Sequence, residues 1–134
     1  MTAQSAPAGY HTVTPRIVAE DPRGLVEFLK RTFGATGEFR AQGPSELRIG
    51  DSLIMVSDAE HREPMPAFLY VYVDDVDATY RLALESGATS LEEPRDVPYG
   101  DRRGMVRDAW ANIWQIATRT QGSGTRSQVP GIDR

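Results

Sequence analysis

The 134-residue sequence predicts an α+β protein of two βαβββ modules, forming a curved eight-stranded mixed sheet or half-barrel around a cavity. Three observations point there. Two amphipathic segments each begin on an Asp and end at a Gly-Ala-Thr triplet. Each follows an apolar run of strand character, and each is followed by three further short runs of the same kind. The spacing between the two Asp caps nearly equals that between the two Gly stops, as an internal repeat requires.

Residues 1–9 are small, polar and Pro-containing, and read as a flexible tail. The body spans residues 10–119, with modules at about 10–60 and 67–119, and residues 120–134 are too poor in apolar side chains to order themselves. The first strand is His11 to Ala19. Asp21 then caps a helix, Pro22 pre-sets its first residue, Leu25, Phe28, Leu29 and Phe33 form its apolar stripe, and Gly34 stops it. Strands are expected at Gly37–Ala41, Glu46–Ile49 and Ser52–Ser57, the last two joined by a tight turn at Gly50-Asp51. After the linker His61–Pro66 the pattern repeats. Phe68 to Asp74 is a strand, Asp75 caps a helix with Val76, Tyr80, Ala83 and Leu84 on its stripe, and Gly87 ends it. Thr89–Glu93, Gly104–Arg107 and Asn112–Thr118 complete the second module, with Asp108–Ala111 at the last turn. Neither module buries its sheet alone, so the two pair within one chain or across a homodimer.

Composition narrows the function. There is no Cys, which excludes disulfides and thiolate metal sites and suits a reducing cytoplasm. A net charge of −4 with interspersed signs does not suit a nucleic-acid partner, which needs a basic face. No apolar run approaches the length of a bilayer span.

Three segments carry a family likeness: Thr12–Ala35 (TVTPRIVAEDPRGLVEFLKRTFGA), Glu46–Asp58 (ELRIGDSLIMVSD), and YVDDVD followed by Tyr99–Thr118 (YGDRRGMVRDAWANIWQIAT). In order and spacing they resemble the vicinal-oxygen-chelate superfamily of glyoxalases, bleomycin-resistance proteins and extradiol dioxygenases. Within it the nearest likeness is to the metal-poor PhnB type. The family's last hairpin carries Pro and Gly where this chain has Ala109 and Ala111, which leaves the turn type open; Asn112 could still adopt the left-handed conformation.

The resemblance implies four metal-ligand positions, which fall here on Thr14, Met55, Phe68 and Gln115. None is His, Asp or Glu, so no metal and no other cofactor is expected. Should the register differ, Glu46 is the carboxylate to suspect. His11 and His61 read as solvated surface residues.

Strand parity then places Arg16, Met55, Phe68, Tyr70, Tyr72 and Gln115 with Thr14 on the concave face. Such a lining suits a small hydrophobic or aromatic ligand held by stacking, with Arg16, Gln115 and the tyrosine hydroxyls orienting it; the same residues would equally serve as filler or as a subunit contact. Tyr99 and Arg102 could engage a ligand at the mouth, although Gly100-Asp101 also reads as a plain turn with exposed arginines. Trp110 either closes a rim or staples the hairpin, Trp114 belongs to the core, and Asp108 pairs with Arg107 or Arg103 at the surface. The expected function is small-molecule binding, of an antibiotic or aromatic metabolite, by a homodimer without a catalytic metal. The alternative is a lyase, isomerase or dioxygenase-type enzyme, either with a non-standard metal site or metal-free and drawing its acid, base and anion stabiliser from Tyr70, Tyr72, Glu46 and Arg16. A third reading, a dimerising module with a vestigial cavity, also stays open.

Overall fold

The computed structural model describes residues 6–60 and 62–120, so His61 and the terminal stretches 1–5 and 121–134 lie outside the described residues. The chain divides into two compact units, Met1–Pro66 and Ala67–Arg134. Among the described residues seven strands form two sheets, three strands in the first unit and four in the second, and each sheet is accompanied by one helix.

In the first unit β1 (Arg16–Ala19) leads to α1 (Pro22–Phe33), β2 (Ser45–Ile49) and β3 (Ser52–Asp58). The strand order is β1-β3-β2, with β1 parallel and β2 antiparallel to β3. The Asp21 carboxylate accepts from Gly24 N at 3.0 Å, Pro22 opens the helix, and Gly34 closes it at φ 66° with its N–H on the carbonyls of Leu29 and Lys30. Leu25, Val26, Phe28 and Leu29 of α1 are buried, as are Ile17, Leu47, Ile54 and Val56 of the sheet.

The first strand is shorter than expected. Pro15 has no N–H to give, and only its carbonyl joins the ladder, accepting from Met55 N at 2.9 Å. A second departure is larger: Gly37–Ala41 is not a strand. Thr36 and Arg48 exchange both backbone hydrogen bonds, at 3.0 and 2.9 Å, and pairing stops there. Gly37 sits at φ 118°, and a Cβ on it would lie 2.4 Å from the Glu46 carbonyl oxygen. The chain therefore turns away from β2 where an eighth strand would have run. It rejoins at Ser45, whose Oγ accepts from Arg40 N at 2.8 Å.

In the second unit β4 (Phe68–Tyr72), α2 (Val76–Glu85), β5 (Thr89–Asp96), β6 (Asp101–Arg107) and β7 (Ile113–Arg119) follow. The order is β4-β7-β6-β5, with β4 parallel to β7 and the others antiparallel. Asp75 caps α2 by accepting from Ala78 N at 3.2 Å, and Gly87 follows the helix at φ 106°. Gly104 leaves room for Tyr80 of α2, whose ring carbon would stand 3.2 Å from a Cβ there. Trp114, Val106 and Ile116 are buried with Val76 and Ala83 of the helix.

The β6–β7 hairpin corrects two expectations. Asp108 is buried, and it does not pair with a surface arginine. Its carboxylate accepts from Trp110 N, Asn112 N and Nδ2, and Trp114 Nε1, the last at 2.8 Å. The left-handed residue is Ala111, at φ 71°, and not Asn112. Asn112 is instead held between Asp108 and the residue before β4, its Oδ1 accepting from Ala67 N at 2.8 Å. Among the described residues no helix is long and apolar enough to cross a membrane.

Candidate functional site

In the second unit, α2 covers the sheet face that carries Gly104 and Trp114. The opposite face carries Phe68, Tyr70 and Tyr72 of β4, with Ile113 and Gln115 beside them on β7 and Met105 beyond on β6. This is the parity anticipated from the sequence. Phe68 is 65% exposed and Tyr72 50%, high values for aromatic rings on a sheet. The rings of Tyr70 and Tyr72 stand 5.3 Å apart at a tilt of 53°.

A buried charge organises this face. The Asp101 carboxylate, fully enclosed, accepts from Tyr70 Oη at 2.6 Å, Tyr72 Oη at 2.8 Å and Arg119 Nη1 at 3.2 Å. Tyr99 Oη lies 3.1 Å from Tyr70 Oη and accepts from Arg103 Nη1 at 3.0 Å. Arg103 is 1% exposed and also reaches Glu92 at 3.3 Å. Burial, then the bonds to Asp101 and Tyr99, push the Tyr70 hydroxyl far above the ordinary tyrosine range, so it stays protonated.

The network revises the reading of the Pro98–Arg103 loop. Tyr99 is buried and bonded instead of standing at a mouth, Arg103 is interior, and Arg102 is forked onto Asp77 of α2 at 2.9 and 3.1 Å. Asp101, Arg103 and Arg119 are the residues that sequence reasoning missed. Starting β6 three residues earlier, at Asp101, would have placed Asp101 and Arg103 on the tyrosine face by the period-two rule. Phe68 lies at the other end of β4, opposite Ile113, and the adjoining hairpin tip carries half-buried Trp110, whose backbone N–H is tied to Asp108.

In the first unit, the face turned from α1 carries Arg16 and Val18 of β1 with Met55 and Ser57 of β3. Arg16 Nε donates to Ser57 Oγ at 2.8 Å. Both line a cleft of about 340 Å³ walled by Ala41–Pro44, the segment that leaves the sheet after Gly37. Thr14 precedes β1 and is half-buried. Glu46, the cross-strand partner of Met55, accepts a hydrogen bond from Tyr10 Oη. His11 is exposed, and His61 lies outside the described residues.

The four positions at which the resemblance implies a metal fit a divalent ion poorly. They offer a hydroxyl, a thioether, a phenyl ring and an amide, where such ions take carboxylate oxygen or imidazole nitrogen. Met55 has the guanidinium-bearing Arg16 as a Cα partner, which opposes a cation at that place. Among the described residues no three His, Cys, Asp or Glu side chains gather in a way that could hold a metal.

Comparison with known proteins agrees with this architecture. TioX from Micromonospora sp. ML1 superposes with a TM-score of 0.70 at 24% identity, covering 81% of this chain and 98% of that one. The fosfomycin resistance protein FosX from Mesorhizobium loti superposes with a TM-score of 0.63 at 18% identity, covering 83% and 93%. In sequence, the uncharacterized protein Mb0911c of Mycobacterium bovis is 28% identical over 122 residues, which cover 78% of this chain and 80% of that protein. A family model matches residues 10–116, nearly the whole folded body, and the chain thus belongs to the Glyoxalase/Bleomycin resistance protein/Dioxygenase superfamily.

Proposed function

We propose that the chain binds small hydrophobic or aromatic molecules without a catalytic metal, as a homodimer in which affinity and not turnover is the useful property. The observation that carries this reading is the aromatic platform of β4. Phe68 and Tyr72 present ring surface to solvent while Asp101 fixes the hydroxyl of Tyr72 and of its neighbour Tyr70. Rings held in place lose little entropy when a guest stacks on them, so a preorganised platform favours binding. Gln115, beside Tyr70, adds an amide to orient the guest.

An enzyme that uses Tyr70 or Tyr72 as acid or base has less support. Both hydroxyls are committed to Asp101, and the raised pKa of Tyr70 makes tyrosinate inaccessible near neutral pH. Because one structural relative is a fosfomycin resistance protein, antibiotics belong in the ligand panel beside plain aromatic compounds.

Calorimetric titration of the panel tests the reading. Phe68→Ala should weaken any aromatic ligand by about tenfold, since roughly 1.4 kcal/mol of ring contact is lost. Tyr72→Phe, which keeps the ring, should change affinity less than threefold by the same scale. A panel with no saturable binding, or one bound equally by the Phe68→Ala protein, would overturn it. Sedimentation equilibrium checks the homodimer.

A further inference from the structure

The cleft of the first unit holds a cation with its binding edge open. Arg16 spends its Nε–H on Ser57 Oγ, itself a buried side chain, and this bond fixes the plane of the guanidinium. For the two terminal nitrogens no acceptor is found among the described residues, and Arg16 lines the cleft. An arginine anchored through Nε with both Nη groups available has the fork geometry that takes a carboxylate with two parallel bonds.

The surroundings restrict the guest. Val18, Ala41 and Pro44 supply apolar wall, and about 340 Å³ is the lower end of the range for small-molecule sites. Asp58 and Glu60 stand on the lining against Arg62, so the charge around Arg16 sums to minus one. Such a rim repels a polyphosphate or dianion more than a monoanion. We propose that this cleft binds the carboxylate of a small organic acid, with Arg16 gripping the anion and Ser57 positioning Arg16. The inference rests on the reading of the chain as a small-molecule binder and adds the chemical class of ligand and the residue that selects it.

The test compares 3-phenylpropionate with its uncharged twin 3-phenylpropionamide, and both with inorganic phosphate, by calorimetry. The acid should bind about tenfold more tightly than the amide, the usual worth of one charge-assisted pair of hydrogen bonds. Arg16→Gln should erase that preference, Arg16→Lys should restore part of it, and Ser57→Ala should reduce it several-fold while circular dichroism shows each variant folded. Phe68→Ala should leave the preference for acid over amide unchanged, which separates the aromatic platform from the anion site. Equal affinity for acid and amide, a preference that survives Arg16→Gln, or phosphate bound more tightly than the acid would overturn the anion site. Failure of both acid and amide to bind would overturn it together with the broader reading.

Discussion

Ala111 is the least comfortable residue in the second unit. At φ 71° its methyl group sits where an L side chain crowds the backbone, a conformation that costs roughly 1–2 kcal/mol outside glycine. What holds it there is Asp108. Its carboxylate satisfies the Trp110 and Asn112 backbone N–H groups, the Asn112 amide and the Trp114 indole, and so fixes the whole hairpin tip. A buried carboxylate with that many donors is worth far more than the exposed pair that composition alone suggests, on the order of 3 kcal/mol against at most about 1. Ala111→Gly should therefore stabilise the protein by about 0.5–1 kcal/mol, the relieved strain exceeding the added freedom of the unfolded chain. Urea unfolding reads this directly. An unchanged or lowered midpoint would mean that the hairpin does not need a left-handed residue at this position.

At the scale of elements, both helices were legible because caps and stops are local chemistry. Asp21, Pro22 and Gly34, then Asp75 and Gly87, act on their own backbones and need no partner. The apolar strands of β3, β4 and β7 were legible for the same reason, since their alternation is written in consecutive residues. The missing eighth strand was not, because it turns on Gly37 taking φ 118° in a close approach to the Glu46 carbonyl, which only the folded chain displays. Nor was the start of β6, where charged Asp101 and Arg103 look like loop until Tyr70, Tyr72, Tyr99 and Arg119 are seen to surround them. Two glycines of the same segment separate the causes. Gly37→Ala should cost about 3 kcal/mol or more, from both its positive φ and the carbonyl contact, whereas Gly43→Ala, at φ 79° with open space around it, should cost about 1 kcal/mol from conformation alone. Equal losses in the two variants would remove the close approach to the Glu46 carbonyl as a reason that position 37 requires glycine.

For the molecule as a whole, the Asp101 network makes stability depend on alkaline pH. Tyr70 has a folded pKa raised above the unfolded value of 10.0, first by burial and then by its bonds to Asp101 and Tyr99. Below that unfolded value both states hold the proton, and the contribution of the buried hydroxyl is fully present. Above it the unfolded chain releases the proton while the folded chain keeps it, so the balance moves toward unfolding as pH rises. One proton of difference gives a slope of about 1.4 kcal/mol per pH unit. Unfolding free energies measured in urea at pH 9 and pH 11 should fall accordingly in the parent protein. The fall should be smaller in Tyr70→Phe, which has no proton to lose but starts from a lower stability because Asp101 has lost a donor. Tyrosinate absorbance supplies the second readout, because the folded protein, with five tyrosines, should titrate fewer than five before it unfolds. Matching slopes in parent and variant would show that the hydroxyl of Tyr70 reaches water, and the platform that orders Tyr72 for a guest would lose its anchor.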